Sequence, residues 1–321
     1  MRYLIIILTA LLILVIPGTA FAQESTEGTI SGQVINGTEG GSSVAEVEVI
    51  LLTYIDNTLD ETRTTETDEE GKFLFNNVAL EHQYIITTKY MEVDYYYEAV
   101  FNAGETETHV EVGVCDTTTS DQEIRVGLAH KIVSVEKESL TVTEVFWFIN
   151  GGDRTYIGID GVLLVFPIPD EAITFEAPQE LISDFQLLDN NNLTYLVPFP
   201  PGERQIVYSY SLARPDSNEL IIPMEINYPT DVFELLISGE EIEVSVNHLL
   251  PAEPVVTDTG ERFIHYQGEN LTRNIVINLQ ISGLSGNDSL SFIILGIIIA
   301  ALITGVTYYL VKRKKKEGIN E

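Results

Sequence analysis

A single cysteine, Cys115, stands in a chain of 321 residues. That excludes an intramolecular disulfide framework and any metal site built from several thiolates. Bases are also scarce: 17 Lys plus Arg face 49 Asp plus Glu, for a formal net charge of −32. Six of those bases sit at the ends, Arg2 at one and Lys312, Arg313, Lys314, Lys315 and Lys316 at the other, which leaves 11 bases against 47 acids between. A surface of that sign repels phosphate, so nucleic-acid binding is excluded. Catalytic signatures are missing too. There is no nucleophile elbow, P-loop, dinucleotide glycine motif or H-E-x-x-H, and the five histidines stand singly at 82, 109, 130, 248 and 265. The abundant acids offer no preferred catalytic pair, so the chain is expected not to be an enzyme. What is present argues against disorder: 45% apolar residues and 28 Phe plus Tyr can fill cores despite the charge.

Two apolar segments predict the topology. Residues 1–22 read as a signal peptide, with Arg2, an apolar run from Tyr3 to Ile16, the helix-breaking Pro17-Gly18, and Ala20-Phe21-Ala22 before a cut at Gln23. No cysteine follows at the cut, which excludes a lipid-modified N-terminus. Residues 290–311 run without a charge for about 33 Å as a helix, enough to span a bilayer. Tyr308 and Tyr309 mark the inner interface, and the basic residues of 312–321 place the C-terminus in the cytoplasm. The expected product is a type I single-pass protein of the cell membrane with residues 23–289 outside. No L-P-x-T-G precedes the span, so covalent wall attachment is not supported.

The outer part is expected to be all-β, as two antiparallel β-sandwich domains over residues 23–126 and 127–289. In the first, short alternating runs are separated by turns: Thr29 to Ile35, Val44 to Tyr54, Lys72 to Phe75, Tyr84 to Lys89, Tyr95 to Phe101 and Thr108 to Val114. Asp56 to Glu66 reads as a polar connection. Thr67-Asp68-Glu69-Glu70-Gly71 reads as a tight turn in which glycine takes positive φ. Gly32-x-Val34, Val47 to Leu51, Thr64-Thr65-x-Thr67-Asp68-x-x-Gly71-x-Phe73-x-Phe75-x-x-Val78 and Tyr84 follow in an order that resembles the carboxypeptidase regulatory-like domain. That resemblance covers about 80 residues and implies a transthyretin-like or Ig-like sandwich grouped with carbohydrate-binding-like folds. Its signature is structural rather than catalytic. Isopeptide-forming relatives need a lysine on an early strand; the first two strands here have none, so that cross-link is not expected.

The most suggestive functional feature is a set of tyrosines among acids: Tyr90, Tyr95 and Tyr97 with Asp94, accompanied by Tyr96, Glu92 and Glu98. Rings beside carboxylates are what sugar sites use, but alternation along a strand puts Tyr95 and Tyr97 on one face and Tyr96 on the other, so one set belongs to the core. No cofactor is expected. Calcium is the one metal to consider, at the acid-rich turns Asp56 to Glu61, Asp68 to Glu70 and Asp116 to Asp121, none of which has EF-hand spacing.

Residues 132–279 supply about ten further strand-like runs with dense Pro, Gly and Asn punctuation, which fits one large sandwich or two small ones. Ile124 to Gly127 reads as a connector and Trp147 as core. The expected role is a non-catalytic, membrane-anchored binding or scaffold protein whose partner is an envelope protein or a glycan. Two alternatives are a carbohydrate-binding surface module and an accessory subunit of an envelope assembly or secretion complex.

Overall fold

The computed structural model describes residues 27–284, except Glu180, 189–191 and Thr259. The predicted leader (1–22), span (290–311) and basic tail (312–321) lie outside the described residues. Among the described residues no helix is long and apolar enough to cross a membrane. The described residues are all-β, and the chain divides into two compact units between Val114 and Cys115, ahead of the boundary at 126 that the sequence predicts. The difference arises because the predicted connector Ile124 to Gly127 opens a long strand of the second unit.

The described residues of the first unit form seven strands: β1 (Glu27–Asn36), β2 (Glu48–Ile55), β3 (Thr58–Glu66), β4 (Lys72–Ala79), β5 (Gln83–Tyr90), β6 (Val93–Ala99) and β7 (Glu107–Val114). They form a three-stranded sheet, β4-β1-β7, and a four-stranded one, β3-β2-β5-β6. Alternate residues are buried along β1, β2, β4, β5 and β6, as expected when each sheet turns one face to a core. The sheets are not purely antiparallel, since β1 and β7 pair in parallel. β3 occupies the stretch expected to be a connection; its residues are nearly all exposed, so the alternation that marks a half-buried strand is absent there.

The Thr-Asp-x-x-Gly signature is explained by its hydrogen bonds. Thr67, buried, donates its hydroxyl to the Val44 carbonyl at 2.6 Å and accepts from the Val47 amide at 2.9 Å. The Asp68 carboxylate accepts from the amides of Glu70 and Lys72 at 3.0 and 2.8 Å. Gly71 sits at φ +79°, where a Cβ would also meet the Val34 carbonyl oxygen at 2.5 Å, so only glycine closes this turn. The turn delivers Phe73 and Phe75 into the core, and the ring of Phe73 lies over Gly32, its cross-strand partner.

The second unit begins with β8 (Thr117–Thr118), β9 (Ile124–Val135), β10 (Ser139–Asn150), β11 (Thr155–Tyr156), β12 (Leu164–Pro167), β13 (Ala172–Glu176), β14 (Phe185–Leu187) and β15 (Asn192–Tyr195). It continues with β16 (Gly202–Ala213), β17 (Glu219–Glu225), β18 (Thr230–Ser238), β19 (Glu243–Val246), β20 (Leu250–Pro251), β21 (Val255–Val256), β22 (Arg262–Leu271) and β23 (Val276–Ser282). The large sheet runs β13-β16-β10-β9-β18-β22-β20, with β21 on β22 and with β9 and β18 parallel. Two smaller sheets, β12-β15-β14 and β17-β23-β19, supply the opposing side chains of one continuous apolar core. Phe146, Phe148, Phe166, Tyr208 and Tyr228 form an aromatic cluster at its centre. Trp147 is not in that core. It alternates with Phe146 and Phe148 along β10, so it projects from the opposite face and stands half-buried, edge-on to the His130 ring.

Candidate functional site

The tyrosine set splits between two faces. β5 and β6 are joined by Met91 and Glu92, both at positive φ, a two-residue turn that pairs Tyr90 with Val93 and thereby fixes the register. Tyr90 and Tyr95 are 6% and 8% exposed and belong to the core. The Tyr90 hydroxyl donates to the Ser42 carbonyl and accepts from the Asn36 side-chain amide. Tyr97 is half-buried and donates to the Gly113 carbonyl at 2.7 Å, linking β6 to β7. Of the predicted residues only Asp94 is on the outer face, and the exposed ring beside it is Tyr96, at 65% exposure. Tyr90, Tyr95, Tyr97 and Asp94 therefore do not converge on one surface.

A polar cluster that sequence reasoning did not anticipate lies inside the second unit. Lys131 on β9, Glu144 on β10 and Tyr208 on β16 are cross-strand partners facing inward. Lys131 Nζ stands 2.7 Å from Glu144 Oε1, with both side chains under a tenth exposed. The Tyr210 hydroxyl donates to the same oxygen at 3.2 Å. Burial pushes both Tyr208 and Tyr210 well above the ordinary tyrosine range, and the Glu144 charge adds to the effect. Ionised groups leave water only at a large cost, which the mutual pairing and the tyrosine donor offset. Beside the cluster lies a cavity of about 40 Å³ lined by Lys131, Glu144, Phe146, Asn227 and Tyr228. It has room for ordered water but not for a sugar ring. Tyr228, whose hydroxyl accepts from the Val165 amide at 3.1 Å, is pushed up to about 12 chiefly by burial.

On the other face of the same sheet, His130 Nε2 meets Glu234 Oε2 at 2.9 Å. That hydrogen bond holds the Glu234 carboxyl below the usual range against the opposing effect of burial, and the charges of His130 and His265 act in the same sense. His130 Nδ1 and His265 Nε2 are buried without a hydrogen-bond partner, while His265 Nδ1 lies 3.0 Å from the Glu253 carbonyl. Among the described residues no group of three or more His, Cys, Asp or Glu side chains could hold a metal. In two of the three acid-rich turns, carboxylates are engaged within the fold. Asp68 caps its own turn, Asp116 faces Arg154 at 3.5 Å and Asp121 pairs with Arg273 at 2.7 Å.

No family model matches the chain, and no curated protein matches it. Three solved structures show partial likeness. A candidate protease from Parabacteroides distasonis is 13% identical over 51% of this chain and 41% of that one, with a TM-score of 0.33. A DUF3823 family protein from Parabacteroides merdae is 13% identical over 63% and 90%, with a TM-score of 0.22. The full-length major pilin SpaD from Corynebacterium diphtheriae is 12% identical over 79% and 81%, with a TM-score of 0.23. The chain spans under half the length of the first of these. At such scores the likenesses carry no argument about this chain.

Proposed function

We propose that the protein is a non-catalytic, membrane-anchored binding or scaffold protein, with residues 23–289 outside the cell and residues 312–321 in the cytoplasm. In this reading the first unit is a carboxypeptidase regulatory-like, transthyretin-like sandwich and the second is a larger sandwich. The observation that carries the non-catalytic part is the closed state of the Lys131–Glu144–Tyr210 cluster. Its charged atoms pair with one another and with the Tyr210 hydroxyl, and the adjoining cavity of about 40 Å³ is too small for a substrate. The anchored topology rests on the uncharged run of 290–311 and the bases that follow it.

Proteinase treatment of intact cells, with antibodies to each end of the mature chain, tests this reading. The expected outcome is loss of the outer epitope, retention of a fragment carrying 312–321, and a mature N-terminus at Gln23. Full protection of the outer epitope in intact cells, with digestion only after lysis, would overturn the placement.

A further inference from the structure

The outer face of the four-stranded sheet in the first unit breaks the usual rule that a solvated sheet face is polar. Strand register places Ile50, Leu52 and Tyr54 of β2 beside Ile85 and Thr87 of β5 on that face, with Leu59 of β3 and Tyr96 of β6 flanking them. Ile50, Leu52, Tyr54 and Ile85 are half-buried, while Leu59 and Tyr96 are 50% and 65% exposed. The opposite side chains of the same strands, Val49, Leu51, Tyr84 and Ile86, already fill the core, so the aliphatic row outside is not needed for it. At about 4.8 Å between strands and roughly 6.8 Å between successive outward residues, the patch covers about 230 Å².

Its border is acidic. Glu48 and Glu66 face each other across β2 and β3, and Asp94 and Glu98 flank Tyr96 on β6. Among the described residues of that face the one base is Lys89, 3.1 Å from Glu92. We infer that this face docks a protein surface with an aliphatic centre and a Lys- or Arg-bearing rim. A second copy of the chain is disfavoured, because a two-fold contact would set Glu48, Glu66, Asp94 and Glu98 against their own equivalents. A sugar chain fits less well, because sugars stack on aromatic planes and the centre here is Ile50, Leu52 and Ile85. A standard interface buries about 800 Å² per partner, so this contact is weak alone and gains strength where several copies share one surface. The inference deepens the binding role proposed above and rests on it. It does not depend on which side of a membrane the unit lies.

The test uses the full chain in detergent micelles and three labelled eight-residue peptides, alternating Lys with Ile, Lys with Ser, and Glu with Ile, read by fluorescence anisotropy. The Lys/Ile peptide should bind saturably and at least tenfold more tightly than either control, and added salt should weaken it. Ile50→Thr with Leu52→Thr should reduce that affinity at least tenfold while the protein stays folded at the assay temperature. Tyr96→Ser serves as a second variant if the pair fails to fold. Equal binding of the Lys/Ser peptide, unchanged binding in both variants, or no saturable binding at all would each overturn the inference. Saturable binding of xylo- or cello-oligosaccharides lost in the same variants, with no peptide binding, would overturn it in favour of a sugar site. Failure here, with the outer epitope still shaved from intact cells, would leave the proposed topology standing.

Discussion

The two units place their unexpected residues in opposite positions. The first leaves Ile50, Leu52 and Ile85 on the outer face of a sheet, whereas the second encloses Lys131 and Glu144 within its core. Ile50, Leu52 and Ile85, like Lys131 and Glu144, are paired in register with their ladder partners, so neither pattern is a defect of backbone geometry. An aliphatic side chain left outside costs little, and such a patch persists wherever something makes use of it. An ion pair left inside is costly unless well paired, and here Tyr210 supplies a further donor to Glu144. The first departure is thus inexpensive to remove, and the second is costly to remove one partner at a time. That contrast orders the experiments.

Removing one partner of the buried pair should have the largest effect. Glu144→Ala strands the Lys131 ammonium in the core and should destabilise the second unit by about 3–5 kcal/mol in urea unfolding. The double variant Lys131→Met with Glu144→Leu should recover most of that loss or exceed the parent. If the single and double variants lose equal stability, the cluster does not act as a closed pair and the contrast fails.

A conventional core position in the first unit supplies the reference. Leu51, fully buried on β2, should cost about 2–5 kcal/mol on replacement by alanine, the loss of apolar contact plus the cavity left behind. Its unfolding transition should be that of the first unit, with the second unit unchanged. Loss of both transitions together would show that the units do not unfold independently.

How much of this could be read in the sequence differs between the two regions for physical reasons. Alternation marked β1, β2 and β4 to β7 because one face of each is apolar, and the Thr67 to Phe75 signature fixed a turn and a core entry. β3 gave no such signal, being polar on both faces at a sheet edge. Alternation also showed that Tyr95 and Tyr96 point oppositely, but which of them is inward depends on the pairing of β6 with β5, a non-local fact. Lys131 was invisible for a related reason. It stands between His130 and Ile132 in a strand buried on both faces, where polar residues interrupt an apolar run with no clear period, and its partner Glu144 is thirteen positions away. A charge inside a twelve-residue apolar strand on each of two neighbouring strands was the available clue.

Acidification should produce a smaller effect, confined to the second unit. The folded Glu234 carboxyl titrates below its ordinary value of 4.5, so its contribution is present above that pH and is lost as pH falls through the folded value. Charge-assisted hydrogen bonding of this kind contributes on the order of 1–2 kcal/mol. Glu234→Gln should therefore flatten the acid side of the stability profile while leaving the first unit's profile unchanged. An equally steep acid limb in the variant would assign the acid sensitivity to other groups.

The smallest expected effect on stability is at Leu52, which adjoins Leu51 in sequence and points the other way. Threonine is β-branched, which suits a sheet, and is already the residue facing Leu52 across β3. Leu52→Thr should lie within about 1 kcal/mol of the parent in the same urea experiment, well below the loss at Leu51. Circular dichroism of the two variants at matched denaturant concentrations makes the comparison directly. If Leu52→Thr costs as much as Leu51→Ala, the outer aliphatic row is holding the fold together rather than standing ready for a partner, and the two units would differ less than their residue placement implies. If it costs almost nothing while weakening the Lys/Ile peptide, the row is kept for contact with something outside the unit. One residue's position in the alternation then separates folding from binding.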